Sequence, residues 1–166
     1  MSFESLSDSF IEMLLYCPKT LVKTHNRNKH KEGHLQVNYS LLSPDHAGFK
    51  FEVYKRQNLR PGMEDDFSCG ISLLAPSGEM LTLRRYNGPS HNHLNHLELE
   101  RLGYICHIHT ATERYISANR KAEGFAVPTT KYKTVEGALH CLVTDCCISG
   151  IATEADDVLQ TKLFDV

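Results

Sequence analysis

The chain has 166 residues and a mass of 18.8 kDa, and a domain of this length buries roughly two-thirds of its unfolded surface, enough for one self-sufficient core. Hydrophobic residues make up 41% and charged residues 23%, a balance that excludes wholesale disorder. A net charge of −2 and a pI of about 6.5 exclude bulk attraction to nucleic acid or to an anionic membrane as the main activity.

No apolar run approaches the roughly 18 residues needed to span a bilayer. The opening MSFESLSDSF lacks the positive charge of a signal peptide, so a cytoplasmic protein with no membrane contact is expected. Six cysteines (Cys17, Cys69, Cys106, Cys141, Cys146 and Cys147) form no C-x-x-C pair. They read as reduced thiols packed as small hydrophobes.

In chain order, Phe3, Leu6, Phe10, Met13 and Leu14 recur at helical spacing and predict a first helix that stops near Cys17-Pro18. Lys19 to Lys31 (KTLVKTHNRNKHK) carries Lys and Arg without an acid, and a basic loop over about 19–34 is expected. The period then becomes two: Leu35, Val37 and Tyr39, then Phe49, Phe51 and Val53, then Phe67, Cys69, Ile71 and Leu73. Ala75-Pro76-Ser77-Gly78 has the residues of a type I turn, after which Met80 to Tyr86 returns antiparallel until Asn87-Gly88-Pro89 stops it. Tyr104 to Thr110 is a further strand. Val135, Ala138, Leu139, Leu142, Val143 and Cys146 predict a closing helix from about Thr134 to Ile148, with Thr134 as its cap. An acidic tail of about 153–166 follows. The expectation is a single α+β domain over 1–166: an antiparallel meander of about four to five strands, with an N-terminal and a C-terminal helix packed on it.

Histidine is the unusual residue. There are ten, and five of them (His91, His93, His96, His107 and His109) fall within one short stretch. On a strand His107 and His109 project from one face. Such a pair supports two chemistries. Neutral imidazoles could share one divalent metal ion, with candidates His91, His93, His107 and His109 and with His96, Glu98 or Glu113 to complete the set. Alternatively, without a cofactor, one imidazole accepts a proton while another donates one. Arg84 or Arg85 could then hold a phosphate and Tyr86 could donate to it, while Glu113 could orient an imidazole. Lys23, Arg27, Lys29, Lys31, Arg84 and Arg114 are candidates for contact with nucleic-acid phosphates. Lys55, Arg56, Arg60, Arg120, Lys121, Lys131 and Lys133 extend that surface if they share a face. There is no Walker A loop, G-x-G-x-x-G, nucleophile elbow or H-E-x-x-H.

Arg85, Tyr86, Asn87, Pro89, His91, His107 and His109, spread over about 30 residues, resemble a pattern of small prokaryotic proteins. In these, an arginine-tyrosine strand end precedes a histidine step and then a His-x-His strand. Toxins of the TumE type, from toxin–antitoxin pairs, have that order, as do related families found near defence genes. The resemblance implies an α+β fold and a toxin or defence role acting on RNA or translation. Joined to the residue chemistry, it leads to a possible ribonuclease with His91, His107, His109, Arg85 and Tyr86 as the catalytic set. Two alternatives stand beside it. One is a non-catalytic module (antitoxin, inhibitor or anti-defence protein) that occupies a cognate protein partner. The other is a metal-binding domain.

Overall fold

A computed structural model describes residues 3, 5–27 and 33–154, with the backbone alone for 26 and 27. The alternating segments all become strands because each has one apolar face to bury. β1 (Lys19–Arg27), β2 (His34–Leu42), β3 (Lys50–Asn58), β4 (Phe67–Leu74) and β5 (Met80–Asn87) pair in sequence as antiparallel neighbours. Two short strands, β6 (His93–Asn95) and β7 (Glu100–Gly103), leave the sheet as a separate hairpin. The chain then returns through β8 (His107–Thr110) and β9 (Phe125–Pro128), and β10 (Ile148–Ser149) pairs parallel with β1. The sheet order is β10-β1-β2-β3-β4-β5-β8-β9. Three short helices complete the described fold: α1 (Asp8–Tyr16), α2 (Glu113–Ser117) and α3 (Val135–Asp145).

This corrects the expected architecture. The molecule is a mostly-sheet fold with a large eight-stranded mixed sheet, not a meander of four to five strands flanked by two helices. The physical reasons are local. β1 is part of the segment expected to be a basic loop, and its alternation is masked by Lys and Thr on its solvated face. A bulge between Leu21 and Lys23 also breaks its period. β8 falls within the strand expected over Tyr104 to Thr110, but the unexpected β9 and β10 have only four and two residues in the sheet, too few for a periodic signal. Residues 28–32 of the expected basic loop and 155–166 of the expected acidic tail lie outside the described residues.

One continuous core lies between the helices and one face of the sheet. Ile11, Leu14 and Leu15 of α1 and Ala138, Leu139 and Leu142 of α3 pack with Leu41, Phe51, Val53, Ile71, Leu73, Leu83 and Tyr86. Ser7 and Thr134 cap these helices by accepting from Phe10 N (3.3 Å) and Gly137 N (3.1 Å). Lys19 is 1% exposed, and its ammonium spends its three donors on the carbonyls of Leu15, Cys17 and Cys146 at 2.8, 2.8 and 3.1 Å. It thereby ties the end of α1 to the end of α3, although burial lowers its pKa.

A bulge in β5 decides what the opposite face carries. Leu73 opposes Leu81, but past the irregularity at Ile71/Ser72 it is Arg84 that opposes Ile71. The phase of the strand shifts by one residue. Tyr86 therefore enters the core, while Arg85 and Asn87 turn to the polar face. There they join Tyr54 and Arg56 of β3 and Ser68 of β4, which occupy matching register positions.

Candidate metal centre and adjoining cleft

Strand period and register assemble the site. β8 places His107 and His109 on the polar face, opposite Asn87 and Arg85 of β5, with relative exposures of 0% and 1%. From the core side, the Tyr132 hydroxyl bridges the two strands, its single hydrogen shared between Asn87 O and His107 O, each at 3.0 Å. The β6–β7 hairpin then brings His93 onto the pair. The His93 ring stacks on His107 at 5.4 Å between centroids and meets His109 edge-on at 4.5 Å.

Each imidazole has its tautomer set by an acceptor. His107 Nδ1 lies 2.8 Å from Ile105 O and His109 Nδ1 lies 2.9 Å from Glu123 O. A carbonyl only accepts, so both Nδ1 atoms carry the hydrogen and both Nε2 atoms present lone pairs. For His93 the ring is reversed: Nε2 lies 3.1 Å from Gly124 O and 3.1 Å from Asn95 Oδ1. The Asn95 amide is itself oriented, accepting from Ala126 N at 2.8 Å and donating to Ala126 O at 2.9 Å. Nδ1 of His93 is therefore the lone-pair nitrogen.

One ring nitrogen from each of the three histidines lies within 4.8 Å of the others, and His107 Nε2 has no hydrogen-bond partner. The cluster could hold a metal ion. Zn–N bonds of about 2.0–2.1 Å would set tetrahedral ligand nitrogens about 3.4 Å apart, so binding requires the rings to draw in slightly.

The rings are kept neutral. Burial pushes His107 down to about 4 and His109 to about 2, the Arg85 charge adding to the effect at His109. Burial lowers His93 as well, against its hydrogen bonds to Gly124 O and Asn95.

Beside the histidines a cleft of about 420 Å³ opens over the polar face, with Tyr54, Arg56, Ser68, Arg85, Asn87 and His91 among its walls. A hydrogen-bond chain runs along its floor. The Tyr54 hydroxyl donates to Ser68 Oγ (2.9 Å), Ser68 donates to Asn87 Oδ1 (2.9 Å), and Asn87 Nδ2 points at His109 Nε2 (3.4 Å). Gly70 makes the chain possible. A Cβ there would come within 2.6 Å of the Tyr54 ring, which packs directly against the glycine.

The residues singled out by sequence separate into groups. His107 and His109 come together as their spacing implied, with His93 as the third member of the cluster. His91 is exposed on the rim, its ring 5.1 Å from His107. Arg85 reaches the site, its Nη2 at 3.5 Å from His109 Nε2. Tyr86 is 0% exposed on the opposite face and donates to Asp145 Oδ2 at 2.8 Å. Arg84 also faces the helices, its guanidinium 5.9 Å from the Tyr16 ring. Glu113 is far from the imidazoles in function: it exchanges hydrogen bonds with Asp8 at the start of α1. Glu98 receives the Tyr115 hydroxyl at 2.6 Å and pairs with Arg114, and His96 is exposed.

Nor do the basic residues form one surface. Lys23 is exposed on β1, whereas Lys55, Lys121 and Lys131 pair with Glu136, Glu123 and Asp145. The side chain of Arg27, and Lys29 and Lys31 altogether, lie outside the described residues. Sequence reasoning missed Asn95, Tyr54 and Ser68. Only the phase of β5 and the pairing of the hairpin would have pointed to them. Comparison of the chain with protein-family models, curated proteins and solved structures gives no match. Among the described residues no helix is long and apolar enough to cross a membrane.

Proposed function

We propose that the protein is a metal-dependent enzyme of toxin or defence type that cleaves RNA phosphodiesters, with one divalent ion held by His93, His107 and His109. One observation carries this reading: a nitrogen from each of three imidazoles lies within 4.8 Å of the others, and each ring donates from one nitrogen to a carbonyl or amide oxygen. That is how ligating histidines are held in metal sites, and three protein ligands leave a position open for water or substrate. A bound ion would supply polarisation of a phosphoryl oxygen and acidification of a water molecule. The metal-free use of His107 and His109 as an acid–base pair is disfavoured, because rings held so far below neutrality have no proton to donate at pH 7. The order of Arg85, Tyr86, Asn87, Pro89, His91, His107 and His109, which resembles that of TumE-type toxins, is what favours RNA as the substrate.

The test is incubation of single-stranded RNA with protein stripped by a chelator and then resupplied with Zn²⁺ or Mn²⁺. Cleavage should require the ion and vanish in His107→Ala. RNA left intact under every condition would overturn the reading, and chelator-resistant cleavage would overturn its metal part.

A second reading, a module that seats a cognate protein partner, is supported by exposed apolar side chains around the hairpin, with Leu99 82% and Tyr104 71% exposed. It expects a partner complex that survives His107→Ala and is lost in Leu99→Asp with Tyr104→Asp. Retention of the complex in the aspartate variant would count against it.

A further inference from the structure

The cleft beside the histidines carries two arginines that form no direct ion pair among the described residues. Arg85 is half-buried, and its Nε is buried with no hydrogen-bond partner. Its Nη2 lies 3.5 Å from Nε2 of the uncharged His109 ring. Arg56 stands exposed on β3, on the same face as Arg85 but one register step along: across β4 it opposes Asn87, through Ser68, while Tyr54 opposes Arg85, through Gly70. Among the described residues neither arginine forms an ion pair. The one carboxylate on the wall, Asp66, is taken by Asn58 Nδ2 at 2.9 Å and His34 Nε2 at 3.4 Å; it senses Arg56 only through space. A guanidinium withdrawn from water is normally matched by an anion, and its planar fork suits the oxygens of phosphate.

Two further features shape the cleft for a larger ligand than a bare ion. Its volume of about 420 Å³ lies in the range that accommodates drug-sized molecules. Tyr54, seated against Gly70 and across it from Arg85, lines the same cleft as both arginines, and aromatic faces in basic grooves stack bases.

We propose that this cleft is a phosphate-binding site for a nucleotide unit, with Arg85 and Arg56 holding the phosphate and the base carried toward Tyr54. The inference rests on the metal-centre reading for its role, since it puts the phosphate ester beside the ion. Binding itself needs only the arginines, and so it is tested without metal.

Metal-free wild-type protein, kept in chelator, is titrated calorimetrically with inorganic phosphate, with AMP and with the dinucleotide ApA. The expected result is binding of AMP and ApA, each more tightly than inorganic phosphate. Affinity should fall about tenfold or more in Arg85→Ala and in Arg56→Ala, and Arg85→Lys should recover only part of it. Because Arg56 is exposed, Arg56→Ala should keep the wild-type circular dichroism and so separates binding from folding. Absence of nucleotide binding by the wild type, or equal binding by both alanine variants, would overturn the proposal. Inorganic phosphate binding as tightly as AMP would overturn its nucleotide part. A protein that binds AMP through Arg85 yet takes up no metal would sink the metal reading alone, and the reverse outcome would sink this one alone.

Discussion

On the helix side of the sheet, Tyr86 and Ile108 pair between β5 and β8 and join a core in which Leu83, Leu139 and Leu142 are at most 1% exposed. One residue along the same two strands, Arg85, Asn87, His107 and His109 are turned the other way. Both faces exclude water from their centres, yet with opposite consequences. Burial stabilises the apolar side chains, whereas it strips the imidazoles of protons and leaves Nε2 of His107 without a partner. The difference teaches where stability and chemistry reside: the helix face holds the fold, and the polar face retains unsatisfied groups that a ligand can satisfy.

Substitutions should therefore split by face. The largest effect is expected from His109→Ala, which removes a ligand and should weaken metal affinity by more than about 100-fold, beyond the range typical of supporting residues. Its counterpart, Leu142→Ala, should cost about 2–5 kcal/mol of stability by denaturant unfolding while metal affinity is unchanged once the variant is folded. A metal defect in the leucine variant equal to that of the histidine variant would break the division. Next comes Asn95→Ala, which frees the hairpin from β9 and lets His93 turn. It should lower metal affinity roughly 10- to 100-fold, measurable by competition with a chelating dye.

Acid should act through the polar face. His107 and His109 have folded pKa values below that of the unfolded ring, so the unfolded chain binds more protons below pH about 6.5. Their contribution is fully present above that pH and is lost as pH falls, until His107 itself protonates near 4. At pH 5 the loss is about 2 kcal/mol for each ring. Denaturant midpoints measured from pH 7 to 5 should fall in the wild type and fall less in a His107→Gln, His109→Gln double variant. The smallest change is expected on the helix side: Tyr86→Phe loses the bond to Asp145 and should cost about 1 kcal/mol, with no effect on metal binding.

Much of this arrangement was legible in the sequence where a segment has one apolar face. β2 to β5 alternate openly, and α1 and α3 announce themselves by period and by their Ser7 and Thr134 caps. β1 was not legible, because Thr20, Val22, Lys23 and Thr24 are all exposed and leave no alternating apolar face, while the Lys19 ammonium is buried on carbonyls that sequence does not reveal. The pairing of His107 with His109 follows from strand period alone. The choice of His93 over His91 as the third member of the cluster does not, since it depends on where a hairpin outside the main sheet folds back. Tyr86 shows the same limit from the other direction. Its place beside Arg85 suggested an anion donor, but consecutive strand residues point to opposite faces, and the bulge in β5 decides that Tyr86 is the one sent to the core.

The central claim is that the three histidines are a metal site. Its most direct test is titration of chelator-stripped protein with Co²⁺, followed in the visible spectrum and by elemental analysis after dialysis. The account predicts one ion per chain, with a d–d spectrum of low coordination number, and loss of both in a variant with His93, His107 and His109 all changed to alanine. Failure of the folded wild type to retain Co²⁺ or Zn²⁺, or full retention by the triple variant, would contradict it.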